Sequence, residues 1–274
     1  MSYRLIALDL DGTLMGSEQT FSPRVRQALS AAQTSGAQVT LATGRSYLSA
    51  HPFAAELGIN VPLVCYQGGL IVEPGGRVLH QLVLRRELAA QVLALAAERD
   101  WHATLYQDGQ IYVTEMRHSP AFYYSMLNPG VQHVADWQPL LERDPDKVLL
   151  VAEDPAQTEL IYAEMKERFS ASMQIVRSHA LFVEANPPGV NKGAGLAWLA
   201  DYLGVGQTQV MAVGDQDNDA PMLAWAGLGV AVGNASPACL AAADWIAPPL
   251  EEDGAAVAIE RFVLGISSQG VALG

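Results

Sequence analysis

The sequence predicts an α/β fold, in which a doubly wound, Rossmann-like parallel sheet forms the core and an α+β cap domain is inserted into it. Short apolar strands alternate with helical patterns toward both ends of the chain, and this spacing requires a parallel sheet with right-handed crossovers. The composition changes at about residue 84, and helices and hairpins follow. The chain of 274 residues is too long for one small domain, and 50% of its residues are hydrophobic, which is ample for a core.

We therefore predict two domains, with residues 1–83 and 187–274 in the core and residues 84–186 in the cap. In the first core segment, Pro23 after Ser22 is typical of a helix that begins behind an N-cap. The turn signal at residues 74–76 predicts a hairpin that leads toward the insert. The predicted strands of this segment are 4–8, 37–42, 62–66, 70–73 and 78–82, and its predicted helices are about 23–34 and 46–57.

The predicted cap combines hairpins with helices, which indicates an α+β module. Asp108 and Gly109 are a strong hairpin signal. The cap elements are a helix at 85–99, strands at 102–106 and 110–114, and a second unit from residue 146 with a strand, a helix and strands at 173–177 and 180–185. The second core segment has helices at 192–203, 220–225, 237–243 and 253–262 and strands at 209–213 and 228–232, and we expect its tail, 267–274, to be loosely held.

Two carboxylates follow the first predicted strand. Asp9 and Asp11 stand one residue apart beside Gly12, directly after an apolar run. Residues i and i+2 of a strand point to the same side, so both carboxylates would project from the carboxyl edge of a buried strand and would need a counter-ion. Taken alone, an Asp-x-Asp-Gly segment is equally consistent with an ordinary turn.

Three further segments place polar residues where predicted strands end or helices begin. Residues 43–45, Thr-Gly-Arg, could offer a hydroxyl and backbone N–H groups to an anion. Lys192 stands where a helical pattern starts, and the strand at 209–213 runs into Gly-Asp-Gln-Asp-Asn-Asp at 214–219. Ligands of open α/β sheets bind outside the carboxyl ends of the strands, so the four segments together predict one anion site with a metal.

These four motifs resemble those of the haloacid dehalogenase superfamily, which are Asp-x-Asp-Gly-Thr, a Ser or Thr, a Lys, and Gly-Asp-x-x-Asn-Asp. All four occur in that order, and residues 189–193, Gly-Val-Asn-Lys-Gly, resemble the third motif of the Cof-type branch. The resemblance covers about residues 3–83 and 187–262, and the insert is similar to the α/β cap of that branch. It implies a phosphatase whose cap selects the substrate, and it does not name that substrate.

The resemblance implies a role for each motif residue. Asp9 would be the nucleophile that forms an aspartyl-phosphate, and Asp11 would be the general acid and base. Thr43 would hydrogen-bond a phosphoryl oxygen, and Lys192 would neutralise charge that develops in the transfer. The predicted cofactor is Mg²⁺, with Asp9, the backbone carbonyl of Asp11, Asp215 and, through water, Asp219 as its ligands. The predicted substrate contacts are Gly44, Arg45 and Asn218, with a structural role equally open for Arg45.

One position departs from the family pattern. Residues 67–69 are Gln-Gly-Gly, where many relatives have Asn-Gly-Ala, and the extra methylene of Gln67 puts in question any substrate contact made by that amide in relatives.

We favour packing over pocket lining for the aromatic run 122–124, and we expect Asp217 to be solvated. The cap residues that are candidates for facing the substrate are His102, Arg117, His118 and Tyr123.

The balance of charge limits the partners. With 16 Lys+Arg and 29 Asp+Glu, the formal net charge is -13, so electrostatics oppose binding to nucleic acid and to anionic membranes. No stretch of about 18 residues is apolar throughout, and residues 1–4 leave no room for a signal peptide before the first strand. We therefore expect a cytoplasmic protein that acts on a small phosphorylated metabolite as a monomer or small homo-oligomer. Cys65 and Cys239 are expected to be buried free thiols.

The leading functional hypothesis is a Mg²⁺-dependent phosphatase of a small phosphorylated metabolite, with a sugar phosphate favoured. A phosphomutase would use the same phospho-aspartate, and nothing in the sequence excludes it. A signalling receiver also combines an acidic metal site with Thr and Lys, but its phosphoacceptor follows the third strand of a much shorter module. A nucleotide-binding module has weak support in Gly227 and Gly229, because the third glycine of the dinucleotide motif is absent.

Overall fold

The structure, a computed structural model, describes residues 3–123, 127 and 131–266, so the tail at 267–274 and Tyr124 lie outside the described residues. The strands in chain order are β1 (Leu5–Leu8), β2 (Gln38–Leu41), β3 (Leu63–Cys65), β4 (Leu70–Val72), β5 (Val78–Gln81), β6 (His102–Gln107), β7 (Gln110–Val113), β8 (Val131–His133), β9 (Lys147–Val151), β10 (Gln174–His179), β11 (Phe182–Asn186), β12 (Val210–Gly214), β13 (Leu228–Ala231) and β14 (Trp245–Ile246). The helices are α1 (Pro23–Thr34), α2 (Tyr47–Glu56), α3 (Arg86–Glu98), α4 (Pro120–Phe122), α5 (Pro155–Phe169), α6 (Lys192–Tyr202), α7 (Ala220–Trp225), α8 (Pro237–Ala242) and α9 (Gly254–Phe262).

A parallel sheet of five strands, in the order β14-β13-β12-β1-β2, forms the core. Strand β1 lies in its interior, and its four residues are buried because β12 pairs on one side and β2 on the other. Leu8 lies beside Val213 of β12 and Leu41 of β2. The carboxyl ends of three neighbouring strands therefore meet at one edge of the sheet, where open α/β sheets bind their ligands.

The helices between these strands begin at side-chain caps. The hydroxyl of Ser22 accepts a hydrogen bond from the amide of Val25 at the start of α1, and Pro23 is the first residue of that helix, as predicted. Strands β3, β4 and β5 form a separate antiparallel sheet. A parallel bridge between Ala42 and Val64 connects it to the core sheet, and so brings the loop after β3 next to the loop after β2.

A second large sheet, in the order β10-β11-β9-β6-β7-β8, is built from residues of the insert. Its neighbouring strands pair antiparallel, apart from β7 and β8, which are parallel. Helices α3 and α5 contact this sheet, and the apolar cluster beneath them includes Val92, Ile161 and Val183. The predicted hairpin at Asp108 and Gly109 joins β6 to β7, with positive φ at both residues.

The predicted α/β fold is confirmed, and the elements whose ends the sequence predicted begin and end within two residues of their predicted positions. The elements that the sequence did not reveal are α4, β8 and β14, which are too short to show a periodic pattern. The boundaries of the two domains stay a prediction. No helix among the described residues combines the length and the apolar composition that a membrane crossing requires.

The interior position of β1 gives a prediction about stability. Leu8→Ala removes a buried side chain from the middle of the core sheet and should lower the free energy of unfolding by about 2–5 kcal/mol. Leu160→Ala, at a position on α5 where the leucine is 69% exposed, should change it by less than about 0.5 kcal/mol. Denaturant unfolding of both variants measures the difference, and equal losses would contradict the assigned burial.

Candidate active site

Asp9 is the residue directly after β1, at the carboxyl edge of the core sheet. Its backbone N–H donates to the carbonyl oxygen of Val213 at 2.9 Å, which continues the pairing of β1 with β12 past the end of the strand. Asp215 follows the end of β12 in the same way. Both carboxylates are buried, and the sheet register therefore places side chains from residues 9 and 215 together, as the strand endings predicted.

Lys192 lies between the carboxylates of Asp9 and Asp219. It is the first residue of α6, and it is only 1% exposed although lysine is ordinarily a surface residue. Its Nζ donates to Oδ1 of Asp9 at 2.5 Å and to Oδ1 of Asp219 at 2.5 Å. Burial lowers the pKa of Lys192, but the two carboxylates outweigh this effect and the net shift is upward. The ammonium therefore stays charged in the interior.

The turn between β12 and α7 is organised by the carboxylate of Asp219. Its Oδ2 accepts the backbone N–H groups of Asp215 and Gln216, each at 2.9 Å. We expected residues 215–219 to come together if this segment were helical, but α7 begins only at Ala220, and the side chain of Asp219 closes the turn instead. Asp217, which we expected to be solvated, is part-buried and forms an ion pair with Arg177 at 2.7 Å.

Asp215 has its own hydrogen-bond donors. The hydroxyl of Thr13 donates to Oδ1 at 2.8 Å, and the amide of Gln216 donates to Oδ2 at 2.7 Å. Gly12 adopts a φ of +89°, and a Cβ at this position would lie 2.4 Å from Oδ2 of Asp215. Only glycine allows this approach, which explains the glycine beside the two carboxylates of the first motif.

Oxygen atoms of Asp9, Asp215 and Asp219 lie within 4.8 Å of one another, the spacing of ligands around one metal ion. Burial and the neighbouring charge of Asp219 raise the pKa of Asp9 well above its ordinary value, and the same two causes raise the pKa of Asp215. Carboxylate oxygens are the donors that hard divalent cations take. The crowding of buried negative charge therefore fits a divalent cation at this cluster.

The carboxylate of Asp11 lies apart from this cluster, and its side chain is 52% exposed. It forms a bidentate ion pair with the guanidinium of Arg45, at 2.7 Å from Nε and 2.6 Å from the terminal nitrogen. Arg45 also donates to the hydroxyl of Ser49 and stacks over the ring of Phe53. The structure thus gives Arg45 a structural partner in Asp11, whatever it does toward a substrate.

Thr43 and Gly44 form the turn after β2. Thr43 is buried, and its Oγ1 accepts the backbone N–H of Arg45 at 3.1 Å, which leaves the hydroxyl proton of Thr43 available to an anion. A Cβ at Gly44 would lie 2.3 Å from Nε2 of Gln67, so the side chain of Gln67 rests directly against this turn. Asn218, the remaining predicted site residue, donates from Nδ2 to Oε1 of Gln67 at 2.9 Å.

Most of these residues line a cavity of about 680 Å³. One wall carries the motif side chains, and the opposite wall comes from the six-stranded sheet. His179, at the end of β10, lines the cavity, and its Nδ1 accepts the backbone N–H of Leu181 at 3.2 Å. The opposite wall includes Tyr106, Lys147, Leu149, His179, Phe182 and Glu184.

Sequence reasoning missed Lys147 and Glu184, which form a buried ion pair at 2.6 Å with each side chain 3% exposed. A signal was present, because each residue is a charge within an otherwise apolar strand pattern, and charges are rarely buried unless they are paired. The sequence offered no comparable signal for His179, which stands at a hairpin turn.

The cap residues predicted to face the substrate are placed elsewhere, and that prediction is wrong. None of His102, Arg117, His118 and Tyr123 is among the described residues that line the cavity. Instead, the hydroxyl of Tyr123 lies 2.9 Å from Nε2 of His102 and accepts the backbone N–H of Arg117 at 3.0 Å. Rings of His102, His118, Phe122 and Tyr123 pack against one another, so packing of the aromatic run is confirmed for Phe122 and Tyr123.

Comparison with known proteins defines the class to which this fold and site belong. A family model described as haloacid dehalogenase-like hydrolase matches residues 6–259. The chain belongs to this family of hydrolases. A solved haloacid dehalogenase-like hydrolase from Bacteroides thetaiotaomicron superposes with a TM-score of 0.82 at 30% identity, covering 95% of this chain and 99% of that one.

Relatives of known sequence are named phosphatases. The HMP-PP phosphatase of Serratia proteamaculans is 30% identical over 86% of this chain and 85% of its own length. A 5-amino-6-(5-phospho-D-ribitylamino)uracil phosphatase of Bacillus subtilis is 29% identical over 95% of this chain and 96% of its own. These matches confirm the predicted family and the prediction that the chain is an enzyme, a hydrolase of the phosphatase type.

The buried imidazole of His102 gives a prediction about how stability depends on pH. Burial, with the nearby His118 and Arg117, lowers the pKa of His102 from 6.5 to about 4. Between these two values the unfolded chain binds more protons than the native one, so stability is present above pH 6.5 and is lost as the pH falls toward 4. Over this range the loss due to His102 should reach about 3 kcal/mol.

Denaturant unfolding at several pH values between 7 and 4 tests this assignment. His102→Gln should flatten the pH dependence, whereas His133→Gln, at an exposed position on β8, should leave it as it is in the parent protein. An unchanged slope in His102→Gln would show that His102 is not the group responsible.

Proposed function

We propose that this protein is a Mg²⁺-dependent phosphatase, which hydrolyses a small phosphorylated metabolite through an aspartyl-phosphate on Asp9. The observation that carries the proposal is the Lys192 ammonium, buried in contact with both Asp9 and Asp219 beside a cavity of metabolite size. A carboxylate nucleophile needs positive charge around it before it can approach an anionic phosphate, and this lysine supplies one such charge.

The carboxylates of Asp9 and Asp215 and the backbone carbonyl of Asp11 would hold the Mg²⁺ ion. Asp219 would contribute through water, since both its oxygens already accept hydrogen bonds. When bound there, the ion would supply positive charge that reduces the repulsion between the Asp9 carboxylate and the phosphoryl oxygens. The choice of Mg²⁺ rests on the all-oxygen donor set and on the acidity of the cluster.

Asp9 acts as the nucleophile. Its Oδ1 is fixed by Lys192, while its Oδ2 has no hydrogen-bond partner among the described residues and is the oxygen that attacks phosphorus. The ester P–O bond breaks as the new bond forms, and the leaving oxygen takes a proton from Asp11. In the second step Asp11 removes a proton from water, the water oxygen attacks phosphorus, and inorganic phosphate leaves as the Asp9 carboxylate is regenerated.

The remaining motif residues hold the phosphate. The hydroxyl proton of Thr43 is directed to a phosphoryl oxygen, because its oxygen is already engaged by the backbone of Arg45. Gly44, Arg45 and Asn218 complete the substrate contacts, and Arg45 exchanges its partner Asp11 for substrate when Asp11 takes part in proton transfer. This exchange costs little energy because the carboxylate of Asp11 is 52% exposed to water.

We favour a sugar phosphate as substrate. The Bacillus subtilis relative is named for a substrate with a phospho-D-ribityl group, and the cavity is open enough for a leaving group of that kind. The formal net charge of -13 opposes a nucleic-acid partner. We further propose that the protein acts in the cytoplasm as a monomer or small homo-oligomer.

Replacement of the nucleophile tests the proposal. Asp9→Asn should lower kcat for p-nitrophenyl phosphate by at least about a thousand-fold, because the amide can neither attack phosphorus nor pair as an anion with Lys192. Asp201→Asn, at an exposed aspartate on the helix that begins with Lys192, is the matched control and should stay within about two-fold of the parent. Retained turnover in Asp9→Asn would remove Asp9 from the mechanism.

Metal removal and product analysis separate the remaining alternatives. Chelation by EDTA should abolish turnover, and added Mg²⁺ should restore it. A panel of sugar phosphates should release one inorganic phosphate for each molecule of sugar formed. Transfer of the phosphate to a second position of the sugar, with little free phosphate, would instead indicate a phosphomutase.

A further inference from the structure

Gln67 is held in an unusual backbone conformation. Tyr66 and Gln67 have φ of 49° and 60°, and Gly68 follows with a φ of 97°. Residues other than glycine rarely adopt a positive φ, because this backbone conformation is strained. Such strain persists where the surrounding structure enforces it, often at functional sites. Here the backbone N–H of Tyr66 donates to the carbonyl of Arg45 and that of Gln67 to the carbonyl of Thr43, each at 3.0 Å.

The side-chain amide of Gln67 is used at both ends. Its Nε2 donates to Oε1 of Glu184 at 3.0 Å, and its Oε1 accepts from Asn218 at 2.9 Å. Glu184 belongs to β11 of the six-stranded sheet, while Gln67 and Asn218 belong to loops at the edge of the core sheet. The amide therefore bridges the two walls of the cavity.

A reciprocal contact lies beside it. Lys147 of β9 donates to Oε2 of Glu184 at 2.6 Å and to the carbonyl oxygen of Gly44 at 3.2 Å. The core thus donates one hydrogen bond to the insert through Gln67, and the insert donates one to the core through Lys147. Burial raises the pKa of Glu184, but the charge of Lys147 outweighs it and the net shift is downward, so Glu184 remains an acceptor. We call Gly44, Gln67, Lys147 and Glu184 the bridging group.

We propose that Gln67 is a positioning residue, which connects the Lys147–Glu184 pair of the six-stranded sheet to the turn at Gly44 after β2. This connection holds the cavity closed during catalysis. This inference rests on the proposed function. Gln67 acts through Glu184. Because the side chains of Gln67, Lys147 and Glu184 are buried, water competes poorly for their hydrogen bonds.

The length of the side chain matters for this role. An asparagine at position 67, one methylene shorter, would carry its amide about one bond length back from Glu184. The departure from the Asn-Gly-Ala pattern noted in the sequence therefore has a structural consequence, which is a direct bond between the loop after β3 and β11.

An ion pair between the same two parts of the chain provides a matched control. Arg177 of β10 pairs with Asp217 of the turn after β12, and both side chains are more than one third exposed. Exposed pairs of this kind contribute little because water and salt screen them. Loss of Arg177 should therefore matter far less than loss of the buried amide of Gln67.

A double-mutant cycle tests the bridge. Gln67→Glu places a second carboxylate against Glu184 and should lower kcat/KM for p-nitrophenyl phosphate by about ten-fold. Glu184→Gln alone removes the charge that pairs with Lys147 and should also lower it. In the double variant a carboxylate at 67 again faces an amide at 184, although Lys147 still lacks its carboxylate partner, so the loss of kcat/KM should be clearly smaller than the product of the two single losses. Losses that simply multiply would overturn the proposal.

Hydrogen exchange gives a readout that does not depend on activity. Gln67→Asn and Gln67→Met should both speed the exchange of the backbone amides of Tyr66 and Gln67 by about ten-fold, whereas Arg177→Gln should change it by less than about two-fold. Equal exchange in all three variants would overturn the bridge. If the parent protein shows no phosphatase activity, the proposed function fails, and the exchange experiment still decides whether the side chain of Gln67 secures the loop after β3.

Discussion

The buried ammonium of Lys192 is the interaction on which the site depends. It joins Asp9, at the end of β1, to Asp219, in the turn after β12, and it stands at the first residue of α6. An isolated buried charge is very costly, so the ammonium of Lys192 requires its two carboxylate partners in the interior. One lysine therefore fixes two strand ends and a helix terminus relative to one another.

The balance of charge around this lysine accounts for how an acidic protein can handle an anionic substrate. Two of the three buried carboxylates contact the one ammonium, so the cluster holds more acidic than basic groups, an imbalance that a divalent cation would offset. Asp11 stays outside the cluster, where its part-exposed carboxylate pairs with Arg45. The positive charge that a phosphate meets is thus local, and the formal net charge of -13 tells little about the site.

The sequence predicted the core side of the site well and the opposite wall poorly. Asp9 and Asp215 could be predicted because each ends an apolar strand, and strands that are neighbours in a parallel sheet end together. Lys147 and Glu184 pair only because β9 and β11 are neighbours, which no local pattern specifies. His102 shares a face of β6 with Tyr106, which lines the cavity, but it stands four residues away along the strand, and strand alternation does not show where along a face the cavity ends. The role of Gln67 depends on Glu184, 117 residues away.

A crystal structure determined with Mg²⁺ would show whether Lys192 and a metal ion share the buried carboxylates. We expect one cation between the carboxylates of Asp9 and Asp215 and the backbone carbonyl of Asp11, with Nζ of Lys192 still within hydrogen-bond distance of Asp9 and Asp219. A cation bound elsewhere in the cavity, or a Lys192 side chain withdrawn from Asp9 to solvent, would contradict it.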